Sequence, residues 1–329
     1  MLVVQANELI EGDLLGRGIY SSDGRLLLQQ GVKLTNRLID GIIRSGQHYI
    51  YINRADVNPV NVKTNLMNMT HALVTQIFQS VLNRTALPIQ TILQWSNHIT
   101  ETIQHEPHLK MTYEDMIAPE EELVSHSVNV CILSLLTAKA LGYSTVQLEN
   151  LAIGSLLHDI GLVFPHDGTL LMNHPLAGYE MLKKYDDIPT DALRIVLQHH
   201  EQIDGRGFPH GLRSDQLLES SQICNLASDF DYFMNETSKE RLPEEGINMI
   251  MSKVDISCCY AVVRAFIHIY EPYPNGTRVI LTGGLFGEVG AQNKGSSTRP
   301  IIQLESNNTR LNLLEHTTLK IEKVLHTIL

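Results

Sequence analysis

Cysteine is scarce and scattered. Cys131, Cys224, Cys258 and Cys259 include one adjacent pair but no CxxC spacing, so no disulfide frame is expected and a reducing compartment is. Positive charge is in deficit: 25 Lys and Arg stand against 36 Asp and Glu, for a net charge of −11. That argues against a general nucleic-acid binder, which would normally show a basic face, and no DNA partner is expected. A small anion in a local pocket stays open. The sequence lacks a run of about 18 apolar residues, so no membrane span is expected. Its start, "MLVVQANELIEGD", is acidic and without a cleavage pattern, unlike a signal peptide, and a cytoplasmic location follows as the expectation. Fixed-period repeats and low-complexity tracts are absent too. What remains is ordinary for a globular protein: 329 residues, 43% apolar and 19% charged, enough for two or three domains.

The patterning divides the chain. Residues 1–56 read as a small β-rich module, in which "GRGIYSSDGRLLLQQGVKL" alternates strand-like runs with Asp-Gly and Gln-Gly turns. Within it "LTNRLIDGIIRSG" predicts a helix opening at Thr35 and closing near Gly46, and "HYIYI" a strand. Residues 57–118 take helical periodicity, with Trp95 as a packing anchor on an apolar stripe. Residues 119–270 stay helical, broken by loops around 161–175 and 204–212. Residues 271–329 return to strands and turns, although "LKIEKVL" near the end fits strand or helix equally.

The central helical stretch holds a set of metal-competent residues. Glu122 and His126 lie four apart, on one face of a helix. His158 and Asp159 are adjacent in "LLHDIG", His174 opens "HPLAGYEML", and His199 and His200 end the run "ALRIVLQ". Asp229 and Asp231 sit in "ICNLASDFDYF". Imidazole nitrogen with carboxylate oxygen suits iron, manganese or zinc, and the lack of nearby cysteine argues against a structural zinc site. Singly, each has a plain reading. "HD" is a frequent dipeptide, "HH" fits a helix C-terminus, and Glu122 fits an acidic helix start.

Taken in order, "HS" at 126–127, "LLHDIG" at 156–161, "HPLAGYEML" at 174–182 and "HHEQIDGRGFPHGL" at 199–212 make the chain resemble the HD-GYP family, bacterial metal-dependent phosphodiesterases that act on cyclic di-GMP. The resemblance covers roughly residues 119–270. It implies a mainly α, multidomain protein: an all-helical HD-type catalytic domain between a small β-rich N-terminal module and a small β-rich C-terminal unit. It implies His126, His158 and Asp159 as ligands of the HD core, with His158 and Asp159 as its catalytic pair. His174, His199 and His200 correspond to ligands of a second metal, Asp159 to the bridging carboxylate, and Glu122 and Asp229 to further ligands, Glu122 for a third metal. The implied cofactors are two or three divalent ions, iron or manganese, and the implied reaction is attack by a metal-activated hydroxide to give pGpG or GMP. Asp204, Gly205, Arg206, Gly207, Phe208 and Pro209 match the loop that meets the nucleotide. The implied partners are cyclic di-GMP or a related nucleotide, a second subunit, or a signalling protein.

The chain departs from the family pattern at four places. "HDIGL" puts Leu162 where the family has a lysine thought to meet the substrate phosphate. The stretch "LVFPHDGTLLMN" is shorter than the family's. An ungapped alignment puts the late aspartate on Ser228, with Asp229 about 100° further round a helix. The basic stretch that usually follows is "YFMNETSKER". A divergent relative, weak or inactive as a catalyst but still binding metal, nucleotide or a protein, is the competing expectation.

Overall fold

The computed structural model describes residues 2–6, 9–16, 18–20, 26–45, 49–53, 62–116, 122–163, 173–236 and 241–325. The chain divides into two compact units, residues 1–102 and 103–329.

In the first unit β1 (Leu2–Gln5), β2 (Leu14–Leu15), β3 (Ile19–Tyr20) and β4 (Leu26–Leu28) precede α1 (Asn36–Arg44) and β5 (Tyr49–Asn53). β5 is the centre of an antiparallel sheet of order β1-β5-β2, and β3 pairs with β4. Thr35 caps α1 as expected, its hydroxyl accepting from Leu38 N at 3.4 Å. Leu15, Leu34, Ile42, Ile50 and Ile52 form the module's own small core. Two longer helices follow, α2 (Val62–Leu82) and α3 (Ile89–His105). On α2 the buried Leu66, Met69, Leu73, Ile77 and Val81 repeat every three or four residues. Trp95 is 1% exposed and its indole N–H donates to Thr70 Oγ1 at 3.2 Å, satisfying the one polar atom of a buried anchor.

The second unit begins with β6 (Met111–Thr112) and then builds a helical core: α4 (Glu122–Ala140), α5 (Thr145–Leu156), α6 (His174–Leu182), α7 (Thr190–Gln198), α8 (Glu219–Met234), α9 (Pro243–Met251) and α10 (Tyr260–Ile269). α4 is apolar nearly all round and packs against α5, α8 and α10, which makes it the central post. Among the described residues it is the one helix long and apolar enough to cross a membrane, and 78% of that window is buried in the protein. α5 is started by a capping box, Ser144 with Gln147.

The chain leaves α10 through β7 (Tyr270–Glu271), parallel to β6, and enters β8 (Arg278–Leu281), β9 (Leu285–Asn293), β10 (Ser296–Leu304), β11 (Arg310–Asn312) and β12 (Ile321–Leu325). These last five make one antiparallel sheet of order β11-β10-β9-β8-β12. Tyr273, Val279, Leu281, Val289, Ile302 and Val324 fill its buried face. The ambiguous "LKIEKVL" segment is strand. Pairing of Val324 with Val279 buries its apolar positions against β8, which a short apolar run cannot reveal on its own.

Candidate metal centre

Three helix ends and a short turn carry the central side chains. α5 runs out at Leu156, and His158 and Asp159 follow in the turn leading to a single 3₁₀ segment, Ile160–Leu162. The turn presses on the first residues of α6. A Cβ on Gly161 would lie 2.2 Å from the backbone oxygen of His174 and 3.0 Å from Gly178 N, so glycine is what lets the two backbones meet. His199 and His200 close α7, and Asn225 of α8 donates to the His199 carbonyl at 2.7 Å.

Hydrogen bonds at the outer ring nitrogens fix which way each imidazole presents its lone pair. His158 Nδ1 lies 2.8 Å from Ser155 O and His199 Nδ1 2.8 Å from Val196 O. A carbonyl only accepts, so both Nδ1 atoms carry the hydrogen, and the neutral form of each ring offers a bare Nε2 inward. His126 Nδ1 lies 2.7 Å from Asp231 Oδ2. Asp231 is in turn held by Asn129 Nδ2 at 2.7 Å and Asn235 Nδ2 at 2.8 Å.

The inward atoms fall into two groups that share one carboxylate. Asp159 Oδ2 lies 3.3 Å from His158 Nε2 and 3.5 Å from His126 Nε2, and these two nitrogens are 3.3 Å apart. Asp159 Oδ1 lies 3.1 Å from His174 Nε2 and 3.4 Å from His199 Nε2. His174 Nε2 is 3.0 Å from His199 Nε2 and 3.2 Å from His200 Nε2. Bare nitrogens repel at such distances. A cation bonded to each at about 2.0–2.1 Å brings neighbouring ligand atoms to roughly this spacing. The two groups, His126 with His158 and Asp159, and Asp159 with His174, His199 and His200, thus fit divalent cations by donor type, by spacing and by burial.

The electrostatics agree. Burial pushes the Asp159 carboxyl up, but the imidazoles of His158, His174 and His199 around it outweigh that and hold the group well below the usual carboxylate range. Burial, offset in part by Asp159, pushes His199 down to about 4. Burial and then the charges of His199 and His174 push His200 down to about 2. Neutral imidazoles and an ionised carboxylate are the forms a cation requires.

The loop after the paired histidines is tied to them. Glu201, fully buried, accepts from His210 N at 2.7 Å and from Leu212 N at 2.8 Å. Phe208 stacks on His200, with ring centroids 4.5 Å apart and planes 16° from parallel. Asp204 turns back on its own loop, accepting from Arg206 N at 2.9 Å. Gly205 lies at φ +81°, and the Phe208–Pro209 peptide is cis. A Cβ on Gly207 would come within 2.4 Å of Glu201 Cα. Arg206 projects outward, its side chain 85% exposed.

Asp229 departs from its expected place. It pairs with Lys253 Nζ at 2.5 Å and takes no part in either cation group. The residue of α8 that faces the centre is Ser228, whose Oγ is 3.3 Å from His126 Nε2. Ser228 and Asp231 stand three apart and share a helix face, whereas Asp229 is turned away from it. Leu162 is half-buried in the 3₁₀ segment. The Glu122 side chain lies outside the described residues, as do residues 164–172 of the short loop. Glu201, Asn129, Asn225 and the outer role of Asp231 escape a search for ligands. The i, i+3 relation of Ser228 to Asp231 is the one signal that points to any of them.

Comparison with known proteins agrees with the motifs. Residues 123–233 match the HD domain family. A cyclic di-GMP phosphodiesterase of Pseudomonas aeruginosa is 26% identical over 258 residues, covering 73% of this chain and 61% of that protein. A cyclic di-GMP phosphodiesterase of Thermotoga maritima is 25% identical over 239 residues, covering 64% of this chain and 63% of that protein. The chain therefore spans less than two thirds of either relative's length. In solved structures the fold is shared with an HDG"Y"P protein from Bdellovibrio bacteriovorus, at a TM-score of 0.50 and 16% identity, covering 82% of this chain and 98% of that one.

Proposed function

We propose, from the match of residues 123–233 to the HD domain family, that this chain is a metal-dependent phosphodiesterase that hydrolyses cyclic di-GMP to pGpG or GMP. The observation that carries the reading is Asp159, whose two carboxylate oxygens serve two separate histidine groups. His126, His158 and Asp159 would hold one divalent cation, and Asp159, His174, His199 and His200 the other, with iron or manganese suiting the donors. When bound, such a pair supplies Lewis acidity, lowers the pKa of water and neutralises phosphate charge. The chain's own residues do the rest. Asp231 fixes His126, the Ser155 and Val196 carbonyls fix His158 and His199, and the Glu201-tied loop keeps Phe208 against His200. Phe208 and Arg206 are the loop groups offered to the nucleotide, by stacking and by charge. The four cysteines are all free thiols, which suits the cytoplasm as the site of action.

A weaker reading, in which the chain binds cation and nucleotide but turns over slowly, is favoured by Ser228 and Leu162. The first group has three protein ligands where a carboxylate at position 228 would make four, and Leu162 offers no donor to a phosphate. Turnover of cyclic di-GMP by anaerobically purified chain loaded with iron or manganese decides between the two. Hydrolysis that vanishes in His158→Ala supports the enzyme. Metal and nucleotide binding without hydrolysis supports the binding protein, and a parent rate in His158→Ala overturns the site.

A further inference from the structure

A second cleft of about 430 Å³ lies in the same unit, where α10, β7 and the turn between β9 and β10 come together. None of its lining residues belongs to the metal centre. The protein as a whole carries −11, yet this cleft gathers Lys110, Arg264 and Lys294 against a single acid, Glu271. Arg264 and Lys294 are exposed and make no ion pair among the described residues. His268 follows Arg264 one helical turn along the same face of α10. The turn itself is "NKGSS", with Gly295 at φ +80° and with Ser296 and Ser297 among the residues that line the cleft. A guanidinium, ammonium groups and hydroxyl donors around one opening are what a phosphate group takes.

Gln292 adds a different demand. Its Nε2 donates to Tyr273 O at 2.6 Å and to Asn275 Oδ1 at 3.2 Å. That fixes the amide, because a flip would set oxygen against oxygen. Its Oε1 is left buried with no partner, a costly arrangement unless a donor arrives. An inorganic phosphate dianion has only a single O–H to give. A nucleoside monophosphate has ribose hydroxyls and base N–H groups as well as the phosphate, and the cleft is within the size range of small-ligand pockets.

We propose that this cleft is a nucleoside monophosphate site, separate from the metal centre. Its phosphate lies among Arg264, Lys294 and the serine turn, and its nucleoside reaches Gln292. The site is placed to influence the metal centre, since α10 packs on α4, the helix that carries His126. The proposal does not depend on which reaction the metal centre performs.

Isothermal titration of the purified full chain with adenosine 5′-monophosphate, inorganic phosphate and adenosine tests it. The expected order is monophosphate tightest, phosphate weaker and adenosine weakest. R264Q combined with K294Q is expected to weaken the monophosphate by at least about tenfold, roughly 1.4 kcal/mol, with metal content and melting temperature unchanged. H174A, which disables the metal centre, is expected to leave that binding in place, and Q292A to narrow the gap between monophosphate and phosphate. Binding lost in H174A but kept in R264Q/K294Q would assign the ligand to the metal centre and overturn the proposal. Absence of saturable binding, or equal affinity for adenosine and its monophosphate, overturns it as well.

Discussion

At the scale of single residues, the centre turns on two side chains of α8 three positions apart. Ser228 stands 3.3 Å from His126 Nε2, where a carboxylate would complete the cation group of His126, His158 and Asp159. A serine hydroxyl is a weak neutral donor to a cation, so this group is expected to bind more loosely than the one with three imidazoles and a carboxylate. Ser228→Asp should retain about one more ion per chain through gel filtration, counted by elemental analysis, while Ser228→Ala should match the parent. Equal metal content in S228D and parent would dispose of the asymmetry. Asp231 acts one step further out, orienting His126 through Nδ1. In Asp231→Asn the side chain cannot accept from His126 and from Asn129 and Asn235 at both ends, because one end now donates. The change should cost about 1–3 kcal/mol of stability and about 10–100-fold in metal affinity, read by thermal melts and competition with a chelator. Metal affinity equal to the parent's would show that His126 needs no such support. Sequence reading named all six residues of the two cation groups through their order and pairing. It misplaced the late carboxylate, because a one-residue register on a helix is set by packing against α4, which "SDFD" does not display.

At the scale of elements, the centre depends on how closely backbones approach. The turn after α5 and the start of α6 meet at Gly161, where a Cβ would sit 2.2 Å from the His174 oxygen. Backbone on both sides leaves nothing to swing away. Gly161→Ala is expected to cost about 3 kcal/mol and to displace His174, with metal loss alongside the lower melting temperature. Gly41 of α1 is the contrast. A Cβ there meets nothing within 4 Å, so Gly41→Ala should be neutral or add about 0.5–1 kcal/mol. A G161A protein as stable as parent would mean that the turn and α6 are not packed as described. The loop after α7 depends instead on one buried acid. Glu201 holds the amides of His210 and Leu212 with both carboxylate oxygens. In Glu201→Gln one amide loses its acceptor, so Phe208 should leave His200 more readily. Faster proteolysis within residues 204–212, with circular dichroism unchanged, is the expected readout, and unaltered cleavage would argue against this role. The helices themselves were readable from apolar spacing and caps, as at Thr35. β12 was not, because five residues with two buried positions satisfy either period until β8 lies alongside.

At the scale of the whole molecule, the buried imidazoles make the protein sensitive to acid. Free imidazoles titrate near 6.5 in an unfolded chain, but His199 is pushed down to about 4 and His200 to about 2 in the fold. Below about pH 6.5 the unfolded chain therefore binds protons that the folded chain refuses, and stability rises with pH wherever the unfolded state binds more. The contribution is flat above pH 6.5, declines as pH falls from there toward 4, and acts in the same direction as the depressed Asp159 carboxyl, whose stabilisation is lost below the ordinary carboxylate range. Chelator-treated protein should thus melt at steadily lower temperature from pH 7 to pH 5 and show little change from pH 7 to pH 8. Cation-loaded protein should melt higher at pH 7 and lose that advantage on acidification, because protons and cations compete for the same Nε2 atoms. Replacing both His199 and His200 by glutamine removes two of the refusing groups and should flatten the slope in the chelator-treated protein. A melting temperature independent of pH between 5 and 7, or a slope unchanged in that double variant, would show that the acid response arises among the other histidines and that these two rings are not held neutral by the fold.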